Sequence, residues 1–342
     1  MQILLVTGAA GFIGSNFVRM LRGRDEAVRI IALDKLTYAG NLANISDLID
    51  DKRLIFVLGD ICDRRLMDEL WKRHEVRQVV HFAAESHVDR SLLDSGPFLQ
   101  TNVIGTQVLL DVARANNVEK FVQVSTDEVY GSLPEDRLQI KFTEETPLSP
   151  NSPYSASKAS ADCLVRAYHH TFGFPAMITR CSNNYGPYQF PEKVIPLFVT
   201  NLIEGKKVPL YGDGMNVRDW IYVEDHCEAV WTVLSKGRAG EVYNIGGNSE
   251  VTNKRLTETI LRLMGKKWDE SVTYVKDRPG HDRRYAIDAG KMERELGWKP
   301  KYVFERAIAE TIEWYQKNEK WWRAIKTGEY VKYYEAMYSK RA

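Results

Sequence analysis

Thr126, Asp127 and Glu128 stand one residue beyond an apolar run at residues 121–124, and Tyr154 and Lys158 follow four positions apart in a stretch of Ser and Ala. These are residue types that move protons. The apolar run predicts a buried parallel strand, and ligands bind where such strands end. The four-residue spacing puts Tyr154 and Lys158 on one face of a helix expected to begin near Ser152 or Pro153. With the ammonium in reach of the phenol, a group that ordinarily titrates near ~10 is expected to move toward neutrality and to serve as a base for an alcohol proton.

The preceding sequence predicts the elements that position these groups. A β-branched, apolar strand at residues 2–7 runs into Gly8, Gly11 and Gly14 and then a helical stretch at 15–22. Glycines at such a turn let a pyrophosphate approach the helix N-terminus, whose N–H groups and dipole favour an anion. A second strand at 28–33 ends on Asp34, twenty positions past Gly14. A carboxylate there can accept from a ribose diol and would repel a 2′-phosphate, so NAD is expected in preference to NADP. Strands at 54–58 and 78–82 end on Gly59-Asp60-Ile61 and Ala83-Ala84-Glu85-Ser86-His87, with a helical pattern at 64–74 between them. This alternation predicts an α/β fold with a doubly wound, parallel Rossmann sheet. Asp60 is expected to face the adenine amino group, and Ala83 and Ala84 to let a cofactor lie close. His87 has no second His or Cys at metal spacing, so it reads as a polar loop residue, and no metal is expected.

Helical patterns at 102–116 and from Tyr154 to about residue 170 carry broad apolar faces, which suit either burial on the sheet or a helix-to-helix homodimer contact. After a strand at 176–180 turns crowd in, which predicts a smaller, interleaved lobe. Residues 1–180 read as the NAD-binding domain, to which later segments return, and 181–342 mainly as the substrate lobe. Lys193, Arg218, Asn253, Arg278, His281 and Tyr285 fall in its loops, where converging cations would hold a diphosphate. The aromatic stretch 304–338, with Trp314, Trp321 and Trp322, reads as helical core packing.

The balance of 47 basic against 46 acidic residues, a net charge of +1, gives no global field for nucleic acid or an anionic membrane. Cys62, Cys163, Cys181 and Cys227 show no C-x-x-C and read as reduced core thiols of a cytoplasmic protein. The sequence shows no signal peptide and no apolar run long enough to span a membrane.

Several strings carry a resemblance that runs over nearly the whole length. They are T-G-A-A-G-F-I-G-S at 7–15, L-D-K-L-T-Y-A-G-N at 33–41, A-A-E-S-H-V-D-R-S at 83–91, S-T-D-E-V-Y-G at 125–131, Y-S-A-S-K at 154–158, G-D-G-M-N-V-R-D-W at 212–220 and R-P-G-H-D-R-R-Y-A-I-D at 278–288. The chain resembles the extended short-chain dehydrogenase/reductases and, among them, the dTDP-glucose 4,6-dehydratases. The discriminating pair is Asp127-Glu128, because related 4-epimerases usually carry small or uncharged residues there.

The resemblance implies a lyase of deoxysugar (rhamnose-type) biosynthesis. With tightly held NAD it would oxidise carbon 4 of a dTDP-glucose hexose, eliminate water across carbons 5 and 6, and reduce carbon 6. Tyr154 and Lys158 would serve the oxidation, with Thr126 bonded to the carbon-4 oxygen. Glu128 would take the carbon-5 proton, and Asp127 would protonate the leaving hydroxyl. The implied NAD contacts are Gly8, Gly11, Phe12, Ile13, Gly14, Asp34, Lys35, Leu36, Thr37, Asp60, Ile61, Phe82, Ala83, Ala84, Ser86, Thr101, Tyr154, Lys158 and Asn184. Those to the sugar nucleotide are Ser86, His87, Thr126, Asn183, Lys193, Val194, Leu197, Pro209, Tyr211, Arg218, Asn253, Arg278, His281 and Tyr285. The alternatives are a UDP-sugar dehydratase, 4-epimerase or decarboxylase of the same superfamily, and a silent NAD-binding scaffold.

Overall fold

A computed structural model describes residues 2–24, 28–327 and 330. In chain order the strands are β1 (Gln2–Thr7), β2 (Val28–Asp34), β3 (Leu54–Leu58), β4 (Gln78–His81), β5 (Lys120–Thr126), β6 (Ala176–Cys181), β7 (Asn183–Tyr185), β8 (Val208–Tyr211), β9 (Val217–Tyr222), β10 (Val242–Ile245), β11 (Glu250–Thr252) and β12 (Val272–Val275). Seven of them form one sheet in the order β10-β6-β5-β4-β1-β2-β3, parallel at every pairing.

Alternation along β1 explains why both sheet faces are covered. Leu4 and Val6 enter one core with Phe17 and Val18 of the helix Phe12–Gly23 and with Val230 and Val233 of the helix Val223–Lys236. Leu5 enters the opposite core with Met67 of the helix Arg64–His74, Val112 of the helix Thr106–Ala115 and Val165 of the helix Pro153–Phe172. Burying each such side chain contributes about 1.5–3 kcal/mol, so a polar substitution on either face would be costly. The strand order reverses between β1 and β4, and a crevice opens beyond their carboxyl ends.

β10 and the helix Val223–Lys236 return to this sheet, whereas most of the remainder after β6 builds a second core. Phe198, Leu210, Trp220, Leu256, Ile308 and Trp322 are buried together there. Trp322 Nε1 donates to the Tyr315 carbonyl at 2.8 Å, and Trp321 Nε1 reaches Asn44 Oδ1 at 2.8 Å, tying the lobe to the first domain. The aromatic stripe is therefore packing. It lies on two helices, Phe304–Lys317 and Glu319–Ile325, broken at Asn318. Of the stretch 304–338 expected to be helical, residues 328, 329 and 331–338 lie outside the described residues.

Two other expectations are corrected. The helix expected from residue 102 begins with a π-helical stretch, Leu99–Gly105, before Thr106–Ala115. Asn102 is engaged there: its Oδ1 accepts from Glu85 N at 2.8 Å and its Nδ2 donates to Glu85 O at 3.0 Å and Ser157 Oγ at 2.8 Å. A π turn keeps that carboxamide on the loop after β4. Of the four cysteines, Cys181 and Cys227 are buried, but Cys62 is half-buried and Cys163 is exposed. Cys163 lies on a helix whose buried residues include its neighbours Asp162 and Val165, so it takes the solvent side. No helix among the described residues is long and apolar enough to cross a membrane.

Candidate active site

The turn after β1 is held by close backbone approach. Gly8 has φ +69°, and a Cβ on it would lie 2.6 Å from Ala83 N; one on Gly14 would lie 2.1 Å from the Gly8 oxygen. No side chain caps the helix that follows, so its first N–H groups face the cleft. Asp34 at the end of β2 accepts from Ala10 N at 2.9 Å and Leu36 N at 2.8 Å, fixing that turn, and burial raises its pKa against these bonds. Beside it Lys35 Nζ pairs with Asp60 Oδ2 at 2.7 Å. This cradle fits a dinucleotide: glycines where a phosphate must come close, an uncapped helix N-terminus, and a carboxylate at the strand end.

One cleft joins the cradle to the ends of β5 and β6. Every residue assigned above to NAD lines it except Leu36, whose side chain packs into the first core. The residues missed include Gly40, Glu85, Cys181, Ser182, Gln189 and Phe190. Gly40 had a signal in the string at 33–41: a Cβ on it would meet Asp34 Oδ1 at 2.6 Å. Gln189 and Phe190 sit in a loop with no periodic pattern to betray them.

Of the residues assigned to the sugar nucleotide, Ser86, Thr126, Asn183 and Lys193 line the same cleft. Others form an adjoining cluster. Arg278 Nη1 donates to Asp89 Oδ1 at 2.9 Å, and Tyr211 donates to Asp89 Oδ2 at 3.3 Å. The Arg218 guanidinium lies 4.2 Å over the Tyr285 ring, and the His281 ring meets Tyr211 edge-on at 6.1 Å. Val194 opens the helix Val194–Ile203, and Asn253 opens Asn253–Leu263 with its N–H on Asn216 O at 3.0 Å. Leu197 is brought to the second core rather than to the cleft, and Pro209 is buried in β8 against β12. His87 is the polar loop residue expected, at the N-cap position of the helix Val88–Leu93 with no capping bond from its side chain; it is buried, which depresses its pKa to about 3. No cluster of His, Cys, Asp and Glu among the described residues could hold a metal ion.

At the end of β5 two neighbouring carboxyls experience different surroundings. Asp127 is buried just behind the cleft lining. Its Oδ1 accepts from Thr126 Oγ1 at 3.3 Å and its Oδ2 has no partner. Burial, then the charges of Glu128 and Asp219, push its pKa well above the ordinary value of an aspartate, in the direction of the neutral acid. Glu128 lines the cleft; burial raises its pKa too, but Arg278, Lys193 and Arg218 oppose the rise and favour its anion. The pair thus comprises one carboxyl enclosed behind the lining and one that faces the cations of the cleft.

The phenol departs from expectation. Burial, followed by the charge of Glu128, holds the Tyr154 pKa well above 10, because full desolvation in company with carboxylates outweighs the nearby cation. Lys158 Nζ instead donates to the Val124 carbonyl at 2.8 Å; burial lowers its pKa and Asp162, one helical turn on, opposes that fall.

A family model described as GDP-mannose 4,6 dehydratase matches residues 5–311. The dTDP-glucose 4,6-dehydratase of Streptomyces antibioticus is 56% identical over 328 residues, spanning 94% of this chain and 95% of that protein. The crystal structure of the dTDP-glucose 4,6-dehydratase DesIV from Streptomyces venezuelae, with NAD and TYD bound, superposes with a TM-score of 0.91 at 53% identity, covering 95% of this chain and 100% of that one. The UDP-glucose 4-epimerase of Thermotoga maritima, with UDP-glucose, matches at a TM-score of 0.85 but only 30% identity, over 93% of this chain and 100% of that one.

Proposed function

Because the chain belongs to the dTDP-glucose 4,6-dehydratases, within the extended short-chain dehydrogenase/reductases, we propose that its cleft carries out their reaction with the roles given below. The enzyme converts dTDP-glucose to dTDP-4-keto-6-deoxyglucose and water and depends on NAD. NAD, when bound, accepts hydride from carbon 4 and returns it to carbon 6. The turn from Gly8 to Gly14, with Asp34 and Asp60, holds it.

Tyr154 takes the proton of the carbon-4 hydroxyl, with Thr126 bonded to that oxygen. The raised pKa of the buried phenol means that positive charge in the loaded cleft, from Lys158 and the nicotinamide, has to bring it down. The new ketone acidifies carbon 5, whose proton goes to Glu128. Asp127 gives its proton to the carbon-6 hydroxyl, which leaves as water, and Glu128 returns a proton to carbon 5 as hydride is restored at carbon 6. Arg218, Arg278 and Lys193 hold the diphosphate, and the lobe after β6 carries most of the nucleotide-sugar contacts.

The observation that carries this reading is the carboxyl pair at a strand end beside Tyr154: Asp127 buried just behind the lining with Oδ2 unpartnered, and Glu128 on the cleft among Arg278, Lys193 and Arg218. A 4-epimerase needs neither group for elimination. Turnover of dTDP-glucose beside UDP-glucose, read as ultraviolet absorbance of the keto-deoxy product in alkali, tests it. Product from dTDP-glucose is expected; epimerised sugar without that absorbance would overturn it.

A cytoplasmic homodimer belongs to the same reading. Leu99, Ile104 and Phe172 are 52%, 45% and 51% exposed beside the helices Thr106–Ala115 and Pro153–Phe172, which supports a bundle between two copies there.

A further inference from the structure

Two loops that line the cleft reach each other. One follows β2 and contributes Thr37, Ala39 and Gly40 to the lining; the other follows β7 and contributes Gln189, Phe190 and Lys193. They are joined by side chains that none of the roles above employs. The Tyr38 ring meets Phe190 edge-on, with centroids 5.7 Å apart and planes at 81°. The Arg90 guanidinium lies 4.0 Å over the same Tyr38 ring. Its Nε donates to Glu192 Oε2 at 3.0 Å, and its Nη2 bonds the other carboxylate oxygen, a two-pronged pair. The Glu192 side chain is 1% exposed, so this pair is shut away from water on the carboxylate side. Behind it, Tyr330 donates to the Pro191 carbonyl at 3.2 Å.

An ion pair of this kind is costly to break, because parting it would leave a carboxylate buried without its cation. The Arg90 face on Tyr38 adds a cation–π attraction that is stronger away from water. The clasp joins the loop next to the Asp34 cradle to the loop beside Lys193, the two sides between which a dinucleotide would lie. A reaction that takes up hydride and gives it back on the same sugar gains from a cofactor that stays between turnovers.

We propose that Tyr38, Arg90 and Glu192 form a latch that retains the dinucleotide by keeping the two loops together. They are positioning residues, since none of them touches the reacting atoms in this reading. The inference rests on the NAD-dependent reading above, but its test needs no sugar and no turnover.

The test follows radiolabelled NAD, loaded onto the full-length protein, as it is chased by unlabelled NAD. Tyr38→Leu and Glu192→Gln are each expected to speed release by at least about tenfold, the scale for losing a buried pair or a desolvated cation–π contact. Tyr38→Phe keeps the ring and is expected to release as the wild type does, which a loss of general stability would not reproduce. Should Glu192→Gln fail to fold, Tyr38→Leu, which removes no buried charge, still decides. Wild-type release rates in Tyr38→Leu, or a wild-type protein that loses its NAD on gel filtration, would overturn the latch. Failure of the dehydratase reading would register separately, as absence of product from dTDP-glucose in an enzyme that still holds NAD.

Discussion

His226 connects the stability of the cleft wall to pH in a way that can be worked out in advance. It is fully buried, and its Nδ1 donates to Asn184 Oδ1 at 2.8 Å, while its Nε2 has no partner. Asn184 lines the cleft, its Nδ2 donating to the Ser182 carbonyl at 3.0 Å, so the ring orients a side chain at the cofactor site. Burial depresses the pKa of His226 to about 3, and no nearby charge is needed to explain it. The unfolded chain takes up a proton near the ordinary value of about 6.5 that the folded chain refuses. This contribution to stability is therefore fully present above about pH 6.5 and is lost as pH falls toward the folded value. Integrated from about pH 7 to about pH 5, the loss is about 2 kcal/mol. His226→Gln cannot titrate. Its cost, measured as the difference from wild type in urea unfolding, should thus be about 2 kcal/mol smaller at the acid pH than at the neutral one. A cost that is the same at both pH values, or larger in acid, would refute the assignment of a buried, neutral ring.

Other outcomes follow from the site geometry. Tyr154→Phe should slow oxidation at carbon 4 by ~10²-fold or more in a single-turnover absorbance assay, and an unchanged rate would remove Tyr154 as the base. Asp127→Asn should leave that oxidation in place while product formation falls by ~10²-fold or more, so the two readouts separate. Gly14→Ala would put a methyl 2.1 Å from the Gly8 oxygen, a backbone contact that cannot swing aside. NAD retained through gel filtration should then drop by at least about tenfold.

The sheet was legible because strands buried on both faces read as unbroken apolar runs, and because each ends where small or polar residues begin. Asp34 was legible from its offset to the glycines, and the Ser152 cap from the Ser-Pro pair ahead of Tyr154. What escaped the sequence depends on contacts between distant segments. The rise in the Tyr154 pKa comes first from burial by the elements around it and then from the charge on Glu128, in the turn after β5. The π-helical stretch at Leu99–Gly105 follows from Asn102 meeting Glu85, seventeen positions away. Leu197 and Pro209, expected at the sugar nucleotide, went to the second core and a buried strand, because an apolar residue near a ligand loop has the same signature as one beneath it. Asp127 and Glu128 were legible as a pair of carboxylates at a strand end; the different surroundings of the two were not, since Arg218 and Arg278 from the other lobe and Lys193 across the cleft face Glu128.

The most direct test of the carboxyl pair is a single turnover of Glu128→Gln with dTDP-glucose, recording reduced-nicotinamide absorbance and keto-deoxy product together. With the base for the carbon-5 proton removed, oxidation at carbon 4 should proceed and the absorbance should persist, while product stays absent. Wild-type-like formation of dTDP-4-keto-6-deoxyglucose by that variant would contradict the account.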